Sequence, residues 1–194
     1  MGLIHCSVAV SAGSCRSCRR WSAASGMPGA ILVYDDGLFE DSDYYTGPPL
    51  DRDMVCRAEE DLGVRLPRSY VEVLLLRNGG TPRHRCYPTS FLTSWADDHF
   101  EISGIRGIGG AWGIDSSSGG GSSHLIAEWE YPEIGVVICD TPSAGHDTVM
   151  LDYSECGSEG EPGVAYIDED RVPRRVAQSF DEFLTRLVHC GSLE

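Results

Sequence analysis

A chain of 194 residues with 41% hydrophobic and 23% charged residues has the composition of one globular domain, which argues against wholesale disorder. Thirty acidic residues oppose fifteen basic ones, a formal net charge of −15, so the surface repels nucleic-acid phosphates and favours basic partners. The longest apolar runs, such as Val136-Val137-Ile138-Cys139, fall far short of the roughly 20 residues that a transmembrane helix needs.

All the basic residues are arginine, which points to a G+C-rich genome and says nothing of mechanism. The eight cysteines are irregularly spaced and a core of this size needs no staples, so reduced thiols and a cytoplasmic protein are expected. Cys15 and Cys18 form a C-x-x-C, but a structural zinc site needs a second ligand pair at suitable spacing.

Residues 1–26 hold Arg16, Arg19 and Arg20 and no acid, and the arginines follow the apolar Val8-Ala9-Val10 where a secretory signal would place them before it. Residues 1–47 are read as a poorly ordered extension, with Met27 as an alternative start, and residues 48–190 as the domain. Within the extension, Ala30-Ile31-Leu32-Val33-Tyr34 suits one edge strand.

The domain opens with two helices. Asp51 can cap a helix carrying Met54, Val55, Ala58 and Leu62, which Gly63 stops. Pro67 suits the first turn of a second, carrying Tyr70, Val73, Leu74 and Leu76 up to Asn78-Gly79-Gly80. Short β-rich runs follow at 87–92, 124–129, 135–140, 148–151 and 164–167, separated by Gly, Pro, Ser and Asp clusters. Ser179 and Glu182 have capping-box spacing for a last helix with Phe180, Phe183, Leu184 and Leu187 on its apolar face. The fold class is α+β: a mainly antiparallel twisted sheet of five to six strands, with an N-terminal helical hairpin and a C-terminal helix packed on it.

Two stretches carry a family resemblance. Glu59-Glu60-Asp61-Leu62-Gly63-Val64-Arg65-Leu66-Pro67-Arg68-Ser69-Tyr70, continuing to Asn78-Gly79-Gly80, resembles the "L-G-x-x-L-P, x-x-Y, then N-G" signature of the SUKH superfamily. Gly113-Ile114-Asp115, Ile138-Cys139-Asp140, Gly145-His146-Asp147, Val149-Met150-Leu151-Asp152, Gly160-Glu161-Pro162-Gly163-Val164 and Val176-Ala177-Gln178-Ser179-Phe180 then follow in family-like order. The resemblance implies a non-enzymatic α+β binding protein, commonly a bacterial immunity protein that neutralises a toxin by occlusion; a regulatory scaffold is the alternative. It carries over no catalytic residue, metal ligand or cofactor.

The chemistry-bearing residues agree with that absence. Asp140, His146, Asp147 and Asp152, with His124 and Glu128, are the tempting metal or acid-base set, but no spacing signature accompanies them. Gly145-His146-Asp147 reads as a turn, with Gly145 at positive φ and Asp147 accepting hydrogen bonds. The glycines at 104, 107, 109, 110, 113 and 119–121 read as flexible loops, because a phosphate loop ends in Gly-Lys and the chain has no lysine.

Two acidic groups are the candidate contacts for a basic toxin domain: Glu155, Glu159 and Glu161 in one Gly-rich loop, and Asp168, Glu169 and Asp170 after the last strand. Trp95 or Trp112 is a candidate apolar anchor. Neither nucleic acid nor a membrane is expected as a partner.

Overall fold

The computed structural model describes residues 36–193. The expected edge strand at 30–34 lies outside the described residues. Chain order is a 3-10 turn (Asp36–Leu38), α1 (Arg52–Leu62), α2 (Arg68–Leu76), β1 (Cys86–Pro88), β2 (His99–Glu101), β3 (Gly104–Ile105), α3 (Ser122–Trp129), β4 (Gly135–Asp140), β5 (Thr148–Asp152), β6 (Gly163–Ile167), β7 (Pro173–Ala177), α4 (Phe180–Arg186) and a final 3-10 turn (Cys190–Ser192). The α+β architecture is the one the sequence implies.

Local chemistry sets the helical ends as expected. The Asp51 carboxylate accepts from the Met54 N–H at 2.8 Å, and Gly63 closes α1 at φ 68°, a conformation that costs glycine little. The linker is tied back by Glu59, whose buried carboxylate accepts from the Leu66 N–H at 3.0 Å. Tyr70 then reaches from α2 across the core, its hydroxyl donating to the Arg106 carbonyl at 2.6 Å. At α4 the Ser179 hydroxyl accepts from Glu182 N–H, while the Glu182 carboxylate accepts from Gln178 N–H at 2.7 Å.

β3 to β7 form one antiparallel meander whose spatial order is the sequence order, and β1 and β2 form a separate two-stranded ribbon. The meander is the expected sheet of five to six strands, and the ribbon is additional to it. Alternation along the central strands builds two cores: Val136, Ile138, Val149, Leu151, Val164 and Tyr166 face α1, α2, α4 and the ribbon, while Val137, Met150, Ala165 and Ile167 face the opposite way. Each fully buried side chain of this size contributes about 1.5–3 kcal/mol relative to exposure.

The second core explains a correction. Residues 124–129, expected as a strand, form α3. Leu125, Ile126 and Trp129 share one side of the helix and cover the back of the sheet, and the Ser122 hydroxyl accepts from Val137 N–H at 2.8 Å. Of the expected 87–92 run only Tyr87 and Pro88 are strand, within β1, whereas β2, β3 and β7 are additional.

The cysteines give a second correction to the all-thiol reading. Cys86 and Cys190 are joined by a disulfide, with Cα atoms 5.0 Å apart. Val188 bridges to Cys86, so the chain delivers Cys190 to the ribbon two residues later. Cys139 and Cys156 are outside any disulfide.

Residues 39–47, placed in the extension by the sequence reading, are held to the domain. Phe39 is buried and bridges to Pro82, and the Arg77 guanidinium donates to the carbonyls of Glu40 and Ser42. The Asn78 amide donates to the Pro48 and Ile108 carbonyls, each at 2.7 Å, and its oxygen accepts from Ile108 N–H at 2.8 Å. The glycines expected in flexible loops are packed here: a Cβ on Gly107 would lie 2.6 Å from the Asn78 amide oxygen. No helix among the described residues is long and apolar enough to cross a membrane.

Candidate protein-interaction surface

The six candidate acidic residues fall at opposite ends of β6. Glu155, Glu159 and Glu161 are exposed in the loop before it, Glu155 paired with Arg175 at 3.0 Å and Glu159 with Arg65 at 3.9 Å. Asp168, Glu169 and Asp170 follow its other end, separated by the length of a five-residue strand, roughly 16 Å. The structure therefore presents two acidic patches.

The second patch is joined to an apolar loop by Asp168. Only 7% exposed, Asp168 accepts the Ser94 N–H at 2.9 Å and the Glu169 N–H at 2.7 Å. Its carboxylate is a positioning group, while Glu169 and Asp170 reach solvent. Glu169 lies 3.4 Å from His146 Nδ1, and Asp170 forms a double hydrogen bond with Arg174 that holds its carboxyl at about 2, the hydrogen bond being the largest cause.

The loop that Asp168 pins runs from Thr89 to Asp98 and is braced internally: the Thr93 hydroxyl donates to the carbonyls of Ala96 and His99, each at 2.9 Å. Below it, Phe91 lies under the Arg174 guanidinium, 5.7 Å from ring centroid to carbon. Outward, Leu92 is 70% and Trp95 42% exposed, and Val172 on the neighbouring turn is 52% exposed. Asp97, Asp98, Glu169 and Asp170 supply exposed acid around them. Braced apolar side chains with charged neighbours are the physical ingredients of a protein contact, in which the apolar groups hold and the charges steer.

Trp95 is thus the exposed member of the anchor pair. Trp112 packs against Tyr44 and Tyr45 and beside Arg106, so it belongs to a loop cluster. Sequence reading did not single out Leu92 or Val172; exposure of large apolar side chains appears only once the burial of the others is known.

The Asp/His set does not assemble. Asp140 lies 3.6 Å from the buried Arg106 guanidinium, and burial raises its pKa against the opposing pull of that charge. Asp147 instead accepts from the hydroxyls of Thr141, Ser143 and Tyr166. Asp152, at the far end of β5, accepts from Ser154 and lies 3.5 Å from Arg175. His124 and Glu128 are exposed on α3. Among the described residues, the group of three whose donor atoms converge is Cys86, Glu101 and Cys190, well away from that set in the chain.

The model described as the SMI1 / KNR4 family (SUKH-1) matches residues 49–186. The chain belongs to this family. The SUKH-1 match begins two residues before the Asp51 cap and ends with the last residue of α4, so it includes the Trp95 loop, the acidic turn and both cores apart from Leu38, Phe39 and Leu187. Comparison with curated proteins gives no match.

Proposed function

We propose that this SUKH-1 chain is a non-enzymatic binding protein, an immunity protein that neutralises a toxin with a basic surface by covering its active site or substrate groove. Asp168 carries this reading. By binding Ser94 it makes one braced surface from the Trp95 loop and the acidic turn, combining an apolar anchor with steering charge at one end of the sheet. The net charge of −15 favours the same class of partner. Family membership is compatible with protein partners, and the dispersal of the Asp/His set supports a role without catalysis.

The tagged full-length chain, used to capture partners from its native host and mixed with the product of the adjacent gene, should retain a toxin stoichiometrically and relieve its lethality. Capture of housekeeping proteins alone turns the reading to a regulatory scaffold. Trp95→Ala should weaken the complex by about 2 kcal/mol, roughly 30-fold in Kd. Glu169→Arg should slow association and flatten its salt dependence, with thermal unfolding unchanged in both variants. Full affinity in both removes this face from the contact.

A further inference from the structure

The disulfide sits within a set of donors that has the makings of a metal centre. Cys86 is directly opposite Glu101 in the β1–β2 ribbon, and on its other side Val188 bridges to Cys86. Pairing on both sides is what brings the Cys190 sulfur and a Glu101 carboxylate oxygen to the Cys86 sulfur, all three atoms within 4.8 Å of one another. Cys86 is buried, and Cys190 and Glu101 are partly exposed, so the group is open to solvent on one side. A neighbouring cleft of about 520 Å³ is lined by Glu40, Asp41, Arg83, His84 and His189. His84 is two residues before Cys86, and His189 directly precedes Cys190.

We propose that, when this disulfide is reduced, the Cys86 and Cys190 thiolates and the Glu101 carboxylate hold a zinc ion. Two equivalents of a small thiol break the S–S bond: two electrons pass to the cysteine sulfurs, two protons complete the thiols, and the reductant leaves as its own disulfide. Zinc then displaces both protons and takes two thiolates and one carboxylate, with His84, His189 or water as the fourth ligand of a tetrahedral set. Zn–S bonds of about 2.3 Å require the sulfurs to part to about 3.8 Å. Cys190 can supply that movement, because it sits in a terminal 3-10 turn beyond α4. Three negative ligands exceed the charge of one zinc ion, and Arg85 offsets the excess, its guanidinium being 3.3 Å from Glu101 and 3.7 Å from Glu40.

The fold thereby supplies the cysteine pair that the spacing of Cys15 and Cys18 lacks, and it does so within the domain. To keep that C-x-x-C from contributing, the test uses the full chain carrying Cys15→Ser and Cys18→Ser. After reduction with a phosphine, which is then removed, this protein should bind one equivalent of zinc and, with cobalt(II), show a thiolate-to-metal charge-transfer band; the oxidised protein should do neither. Cys190→Ser should abolish the band and lower zinc affinity at least about a hundredfold, and Glu101→Gln should lower it at least about tenfold. Circular dichroism and thermal unfolding of the metal-free reduced forms show whether either variant remains folded. Zinc binding retained at full affinity in a folded Cys190→Ser variant, or no thiolate–cobalt band in the reduced parent, overturns the site.

Discussion

The Tyr166 hydroxyl on β6 donates to the Asp147 carboxylate at 2.6 Å, locking the turn before β5 to the strand after it. Thr141 and Ser143 donate to the same carboxylate, so one side chain serves three hydroxyls from the turn and the sheet. Burial, and then this hydrogen bond to a carboxylate, push the Tyr166 phenol well above its ordinary range. Asp147→Ala should therefore cost about 3 kcal/mol, lowering Tm by roughly 6–12 °C, because three hydroxyls lose their acceptor. Tyr166→Phe should cost less, since it removes one donor and leaves the others paired. An unchanged Tm for Asp147→Ala would remove the carboxylate from the account of this turn.

Gly145 occupies φ 102°, and a Cβ placed there would lie 2.1 Å from Trp129 Cε2. Gly145→Ala puts a methyl group into that ring and a side chain at a strained φ, for about 1–3 kcal/mol from the backbone alone. Thermal unfolding should show the loss, and indole fluorescence should report the displaced Trp129. Wild-type values in both measurements would sink the proposed contact.

Asn78 binds two carbonyls and one N–H from segments on either side of it. Asn78→Ala should cost about 3 kcal/mol in denaturant unfolding. Asn78→Asp should be worse at neutral pH, because a carboxylate would face both carbonyls. Its folded-state pKa would be raised, so stability relative to wild type should recover as pH falls and the carboxyl takes up a proton. A denaturant midpoint independent of pH relative to wild type contradicts this.

Asp170 gives the opposite pH dependence. Its carboxyl is held at about 2 against an ordinary 3.8, chiefly by the Arg174 hydrogen bond. A lowered folded-state pKa stabilises above the unfolded value, and that contribution is lost as pH falls from 3.8 through about 2. NMR titration should find the low value in the native chain and its return toward the ordinary one in Arg174→Ala. A native carboxyl titrating at its ordinary value would show that the pair does not persist in solution.

The elements legible in the sequence are those with local punctuation: Asp51 and Gly63 around α1, Ser179 before α4, and the apolar runs of β4 to β6. Residues 124–129 read equally well as a strand because Leu125, Ile126 and Trp129 satisfy a short apolar pattern of either kind. Their helical state is decided by the back of the sheet, which needs a cover. β7 was hidden by Arg174 and Arg175, which an edge strand tolerates because its side chains reach solvent. The candidate surface was half legible: acid at 168–170 stands out in the chain, but its bond to Ser94 joins residues 74 apart. The disulfide, with a sequence separation of 104, has no local signal at all.

Because β3 to β7 lie side by side in chain order, each strand finds its partner in the one made immediately before it. From β4 onward the meander can grow one hairpin at a time as the polypeptide leaves the ribosome, with loops of 7, 10 and 5 residues to close. One late event is long-range: α4 and the segment after it must return to the ribbon, where Val188 meets Cys86. Assembly should thus finish as a closing clasp, made when the segment after α4 reaches the ribbon.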